Sequence, residues 1–153
     1  MSSPFATPPS PGALERSTRA DGALVLRAAG AEFAFLRPCP GVLLVTIAGS
    51  DHGQFGDAAL DEIRLEVLRR GPIALYIDAA STTNVSVHVS REWTRFFSSQ
   101  RGQLERVVVL TGSKLIHLSV EIAQHLSQTG GLIFVTNERE RFLALYSARI
   151  QAA

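Results

Sequence analysis

Four short runs of aliphatic and β-branched residues, Val42–Ala48 (VLLVTIA), Ile73–Ile77 (IALYI), Arg106–Leu110 (RVVVL) and Leu132–Thr136 (LIFVT), recur along the chain. Between them the apolar residues fall at helical spacing. Continuous apolar runs of that length suit strands covered on both faces, and strands alternating with helices through short connections imply a parallel sheet with helices packed on it. No solenoid or propeller repeat is present.

The intervening segments carry helix punctuation. After Asp57, a plausible N-cap, Leu60, Ile63, Val67 and Leu68 share one face, Asp61, Glu62, Arg64 and Glu66 lie mostly off it, and Gly71 stands where a C-cap belongs. Val89, Trp93, Phe96 and Phe97 form an apolar stripe on the next helix, with Arg91, Glu92, Arg95 and Arg101 outside, Ser86 or Ser90 as N-cap and Gly102 at the close. Lys114 to Gln128 directs Leu115, Leu118, Ile122 and Leu126 inward before Gly130 and Gly131 break it. Asn137 with Glu140 reaching back opens a last helix whose inward residues are Phe142, Leu145, Tyr146 and Ile150.

Ahead of these units, Ala23–Arg27 and Ala31–Arg37 read as a hairpin around Ala28, Ala29 and Gly30, ended by Pro38 and Pro40. Residues 1–21, rich in Ser and Pro, read as a disordered tail. The expected architecture is α/β: a mixed, mainly parallel sheet with helices packed on it, preceded by an N-terminal β-hairpin, in one domain over residues 22–151. A length of 153 residues with 46% apolar content supports one substantial core.

Net charge of +1 without a long run of like charge offers no strong attraction to nucleic acid or anionic membrane, so no nucleic-acid partner is expected. No stretch approaches the length of a membrane span, and no secretory signal pattern opens the chain. The single cysteine, Cys39, suits a reducing cytoplasm.

Function is most concentrated between Gly71 and Gly102, where a buried strand passes through a hydroxyl-rich stretch into a helix. Such places bind ligands in open α/β sheets, because the first N–H groups of the helix are unpaired. The candidate recognition residues are Asp78, Ser81, Thr82, Thr83, Asn84, Ser86, His88 and Ser90, with Arg91 and Arg95 bordering them and suited to an acidic partner. Ser86 serves equally as a cap that is never modified.

The order of elements, with GVLLVTIAG, a helix ending in Gly-Pro, a strand ending in Asp and a polar loop entering a Trp-containing helix, resembles the STAS domain of anti-sigma-factor antagonists. It resembles the SpoIIAA-like branch more closely, with Trp93 and Phe142 at that branch's Trp and Phe positions. The resemblance covers about Ala23 to Ile150 and implies a non-catalytic regulatory module that binds a protein, such as a kinase or an anti-sigma-type regulator. Antagonist members carry Asp-Leu-Ser before the loop and Asp-Ser-Ser-Gly at its end, the first of that pair of serines being phosphorylated. Here Asp78 matches, Ala79-Ala80 replace Leu-Ser, and Ser86-Val87-His88-Val89 occupy the second motif, so the acceptor position holds Val87. A one-residue shift presents Ser86, and a change of loop length presents Ser81, Thr82 or Thr83.

Other constellations point to weaker chemistry. Asp78 at a strand end can act as a base or accept N–H groups of its own turn, and His52 in the Gly-rich GSDHGQFG connection completes a hydrolase alternative with it. His117, Glu121 and His125 recur every four residues, but on a stripe that suits a solvated face, and no metal site is expected. Gly112-Ser113-Lys114 lacks the remainder of a phosphate-binding loop, no dinucleotide fingerprint or nucleophile elbow is present, and no cofactor is implied. A second binding alternative is a carrier or sensor of a small apolar ligand, with Trp93, Phe96 and Phe97 lining a pocket rather than filling a core. Homodimerisation through a helix face or edge strand is compatible with the sequence.

Overall fold

The structure is a computed structural model that describes residues 13–112 and 132–153. Within them, strands β1 (Glu15–Thr18), β2 (Leu24–Ala28), β3 (Ala31–Cys39), β4 (Val42–Asp51), β5 (Ile73–Val85), β6 (Leu104–Thr111) and β7 (Ile133–Thr136) lie side by side in sequence order. Strands β1 to β4 pair antiparallel, and β4 to β7 pair parallel. The sheet is therefore mixed, as expected, with the hairpin strands β2 and β3 leading into the βα units.

Helix α1 (Ala58–Arg70) joins β4 to β5 and α2 (Val87–Gln100) joins β5 to β6. Both crossovers step in the same direction along the sheet, so a common handedness places both helices on one face. There Phe33, Phe35, Val45, Leu75 and Val107 meet Leu60, Ile63 and Val67 of α1 and Phe96 and Phe97 of α2. Helix α3 (Arg139–Gln151) covers the opposite face, where Val42, Ala74, Tyr76, Val108 and Leu110 pack against Phe142. Ion pairs hold both ends of α3: Arg139 to Asp78 at 3.0 Å and Arg149 to Glu105 at 2.7 Å.

Several boundaries differ from the sequence expectation. The stretch assigned to a tail contains β1, whose Arg16 reaches Glu62 of α1 at 2.9 Å, while residues 1–12 lie outside the described residues. A polar four-residue segment carries little strand signal alone; pairing with β2 and that ion pair supply the order. Strand β3 continues through Pro38 to Cys39 because its register with β4 shifts between Leu36 and Cys39, and such irregularities accommodate proline.

On α1, Leu68 is 80% exposed whereas Glu62 and Glu66 are buried. Arg16 and Arg37 supply the countercharges that let the carboxylates face inward. Asp57 occupies the N-cap position without a side-chain cap bond, and Glu138, not Asn137, precedes α3. The helix expected over Lys114–Gln128, and with it His117, Glu121 and His125, lies outside the described residues. No described helix is long and apolar enough to cross a membrane.

Candidate functional site

Strand β5 decides the geometry of the site. It does not stop at Asp78 but runs thirteen residues to Val85, remaining paired with β4 up to Asp51. Two register shifts make this possible: Thr46 pairs with Asp78 but Ala48 with Ser81, and Gly49 pairs with Thr82 but Ser50 with Asn84. Each shift inserts one extra residue on β5, so the spacing of residues on a given face lengthens from two to three. Ile77, Ala79, Thr82 and Val85 consequently all line the cavity on the α2 side. Ser81, Thr83 and Asn84 are exposed.

The expected recognition loop Asp78–Ser90 is thus largely strand. Thr82, expected at its surface, is 6% exposed and donates its hydroxyl to the Ile47 carbonyl at 3.4 Å. Ser50 and Thr83 share a hydroxyl–hydroxyl bond of 2.9 Å across the strands. Ser86 is the N-cap of α2, its Oγ accepting the Val89 N–H at 3.2 Å. Val87, to which the motif spacing assigned the acceptor position, is 66% exposed. His88 is exposed and lies 3.1 Å from Glu92, and Arg91 and Arg95 are exposed on the outer side of α2.

Among the described residues, a cavity of ≈ 90 Å³ lies beneath α2. The sheet contributes Phe33, Ile47, Ile77, Val109, Ile133 and Val135, and α2 contributes Val89, Ser90, Trp93 and Phe97. Trp93, half-buried, stacks parallel to Phe33 with centroids 6.3 Å apart and meets Phe97 at 5.8 Å. Phe96 is absent from the wall; it is 1% exposed in the core, with the Arg64 guanidinium 5.1 Å from its ring. The aromatic stripe is divided, two residues facing the cavity and one the core.

Polar groups enter the wall at the C-terminal ends of the strands. Asp51 is 5% exposed, and its Oδ1 accepts the Gly53 N–H at 3.0 Å. Burial pushes its carboxyl above the ordinary range, opposed by that N–H and by the neighbouring His52. Buried Thr111 spends its hydroxyl on the Gly112 carbonyl at 3.2 Å. Asp51 also borders a smaller cleft between the start of α1 and α2, alongside His88 and Glu92.

Asp51 was not among the residues the sequence singled out. It stands four residues after Ile47 on the same strand face, a signal that continuing the period of two past Gly49 would have exposed. Asp78 lies on the other face of the sheet, bonded to Arg139 and accepting the Ala80 N–H at 3.2 Å. His52 follows the end of β4, and the register Thr46 to Asp78 places the level of Asp78 six residues before it, roughly 20 Å along the strand. The structure does not bring the hydrolase pair together.

No protein-family model matches the chain, and no curated protein matches it. Among solved structures it is similar to an uncharacterised protein of the DUF3478 family from Shewanella loihica PV-4, described as having a SpoIIAA-like fold. The TM-score is 0.53 at 17% identity, over 76% of this chain and 93% of that one. At that identity the likeness speaks for the fold: an α/β domain similar to the SpoIIAA-like architecture.

Proposed function

We propose that this chain is a non-catalytic binding domain that holds a small apolar molecule between α2 and the parallel half of its sheet, as a cytoplasmic carrier or sensor. The carrying observation is the cavity itself, walled by Trp93, Phe97 and aliphatic side chains from β4 to β7. A well-packed core leaves few voids of this size, and an apolar one gains by taking up an apolar body. An enclosed apolar cavity of about 150 Å³ takes benzene, so the smaller volume here suits a small ring or a short chain. Binding rather than turnover is favoured because Asp78 and His52 stand apart.

Native mass spectrometry of freshly purified protein tests this reading, with Val109→Trp as the variant that fills the cavity. A small-molecule mass on the wild type and none on the variant supports it. Two bare masses, together with no thermal stabilisation of the wild type by ethylbenzene or indole, would defeat it.

A regulatory role through a protein partner, as in STAS antagonists, draws on a separate observation. Ser81, Thr83 and Asn84 lie exposed on the last stretch of β5, between the residues that face the cavity, and the apolar Val87 lies exposed on the first turn of α2. Affinity capture with wild type and with Val87→Asp, which leaves the Ser86 cap intact, checks it: an identical set of captured proteins removes Val87 from any docking surface.

A further inference from the structure

We infer that the cavity selects a small apolar amine, its cationic head held by the carboxyl of Asp51 and its body by Trp93 and Phe97. This deepens the apolar-ligand reading and rests on it. Of the described side chains on the cavity wall, Asp51 is the one that ionises, and no described Arg, Lys or His shares that wall. The other polar groups are largely committed: the hydroxyls of Thr82 and Thr111 already donate to the Ile47 and Gly112 carbonyls. Asp51 has one N–H, from Gly53, on Oδ1.

A carboxylate so far removed from water gains most from a cation that also donates hydrogen bonds, because desolvation has already been imposed by the fold. An acid in the same place would set two carboxylates against each other in an apolar wall, which forces one to take up a proton. The location adds to the argument. Asp51 stands at the C-terminal end of β4, so the head group lies toward the strand ends and the body runs down along Ile77 and Val109 beneath Trp93. An aromatic ring with a two-carbon arm matches that division, since Trp93 and Phe97 of α2 stand on one side and aliphatic groups of the sheet on the other. The neighbouring His52 is exposed and outside the wall, so it does not supply the missing cation inside.

Calorimetric titration at neutral pH with four probes of one body tests the assignment: 2-phenylethylamine, 2-phenylethanol, phenylacetate and ethylbenzene. The expected order is amine first, by about tenfold or more over ethylbenzene, with phenylacetate weakest, as a charge-assisted buried hydrogen bond implies. Asp51→Asn is expected to erase the advantage of the amine and leave ethylbenzene unchanged. The wild-type series stands alone should that variant fold poorly. If ethylbenzene binds and the amine is no tighter, or if the alcohol or the acid binds best, the head-group inference is overturned while the apolar pocket stands. If none of the four binds, the apolar-ligand reading itself falls.

Discussion

A buried Asp with one backbone N–H for company makes stability depend on pH in an uncommon direction. The Asp51 carboxyl is raised above 3.8 by burial, so over the interval between that value and its folded one the native chain holds a proton the unfolded chain has released. Stability from this group therefore falls as pH rises through the interval and is lowest above the folded value. Asp51→Asn keeps an acceptor for Gly53 and abolishes the charge. Its thermal midpoint relative to wild type should be higher at pH 7 than at pH 3.5, and an equal offset at both would count against the assignment. Glu66 presents the opposite case, a carboxylate retained by a partner. It is 1% exposed and bonded by Arg37, which is itself 30% exposed. Arg37→Met leaves that charge buried alone, at a cost of about 3 kcal/mol in denaturant unfolding. The double variant Arg37→Met, Glu66→Leu is expected to recover most of the loss. Neither Glu66 nor its neighbour Glu62 showed its role in the sequence, because a helical period places charges around a helix without saying which will meet an arginine from another strand.

At the scale of elements, β5 and α2 share one continuous piece of work. The strand carries the chain past the point where its apolar run ends, and Ser86 then turns it into the helix by accepting the Val89 N–H. Ser86→Ala should cost about 1 kcal/mol in chemical denaturation, while Ser86→Asp retains an acceptor and costs much less. If both substitutions behave alike, the cap is not what starts α2. That Ser86 or Ser90 caps α2 was legible because Ser ahead of a helical apolar stripe is a local signal, and the structure selects Ser86. The strand from Asp78 to Val85 was not, because two register shifts space its inward residues at 77, 79, 82 and 85. That spacing has neither period, and a polar Ser-Thr-Thr-Asn run satisfies the chemistry of a loop equally well. Pairing with the extended end of β4 is what holds it straight.

For the whole molecule, the sheet order follows the chain order, so each strand depends on a neighbour formed nearby in sequence. Deleting residues 1–20 removes β1 and the Arg16–Glu62 pair and leaves β2 as an open edge. The expected result is a lower thermal midpoint and self-association in size-exclusion chromatography; an unchanged midpoint would mean that β1 adds nothing to the fold. By itself the sequence determined the α/β class, the hairpin, the order of the described strands and helices and the inward stripe of α2, because these rest on apolar spacing, caps and turns within a few residues of one another. Only the tertiary structure decided that Thr82 turns inward, that Trp93 and Phe97 line a cavity while Phe96 fills the core, and that Asp51 stands in the cavity wall. Those outcomes depend on strand register and on how far a helix stands off a sheet, and both are settled between residues distant in the chain.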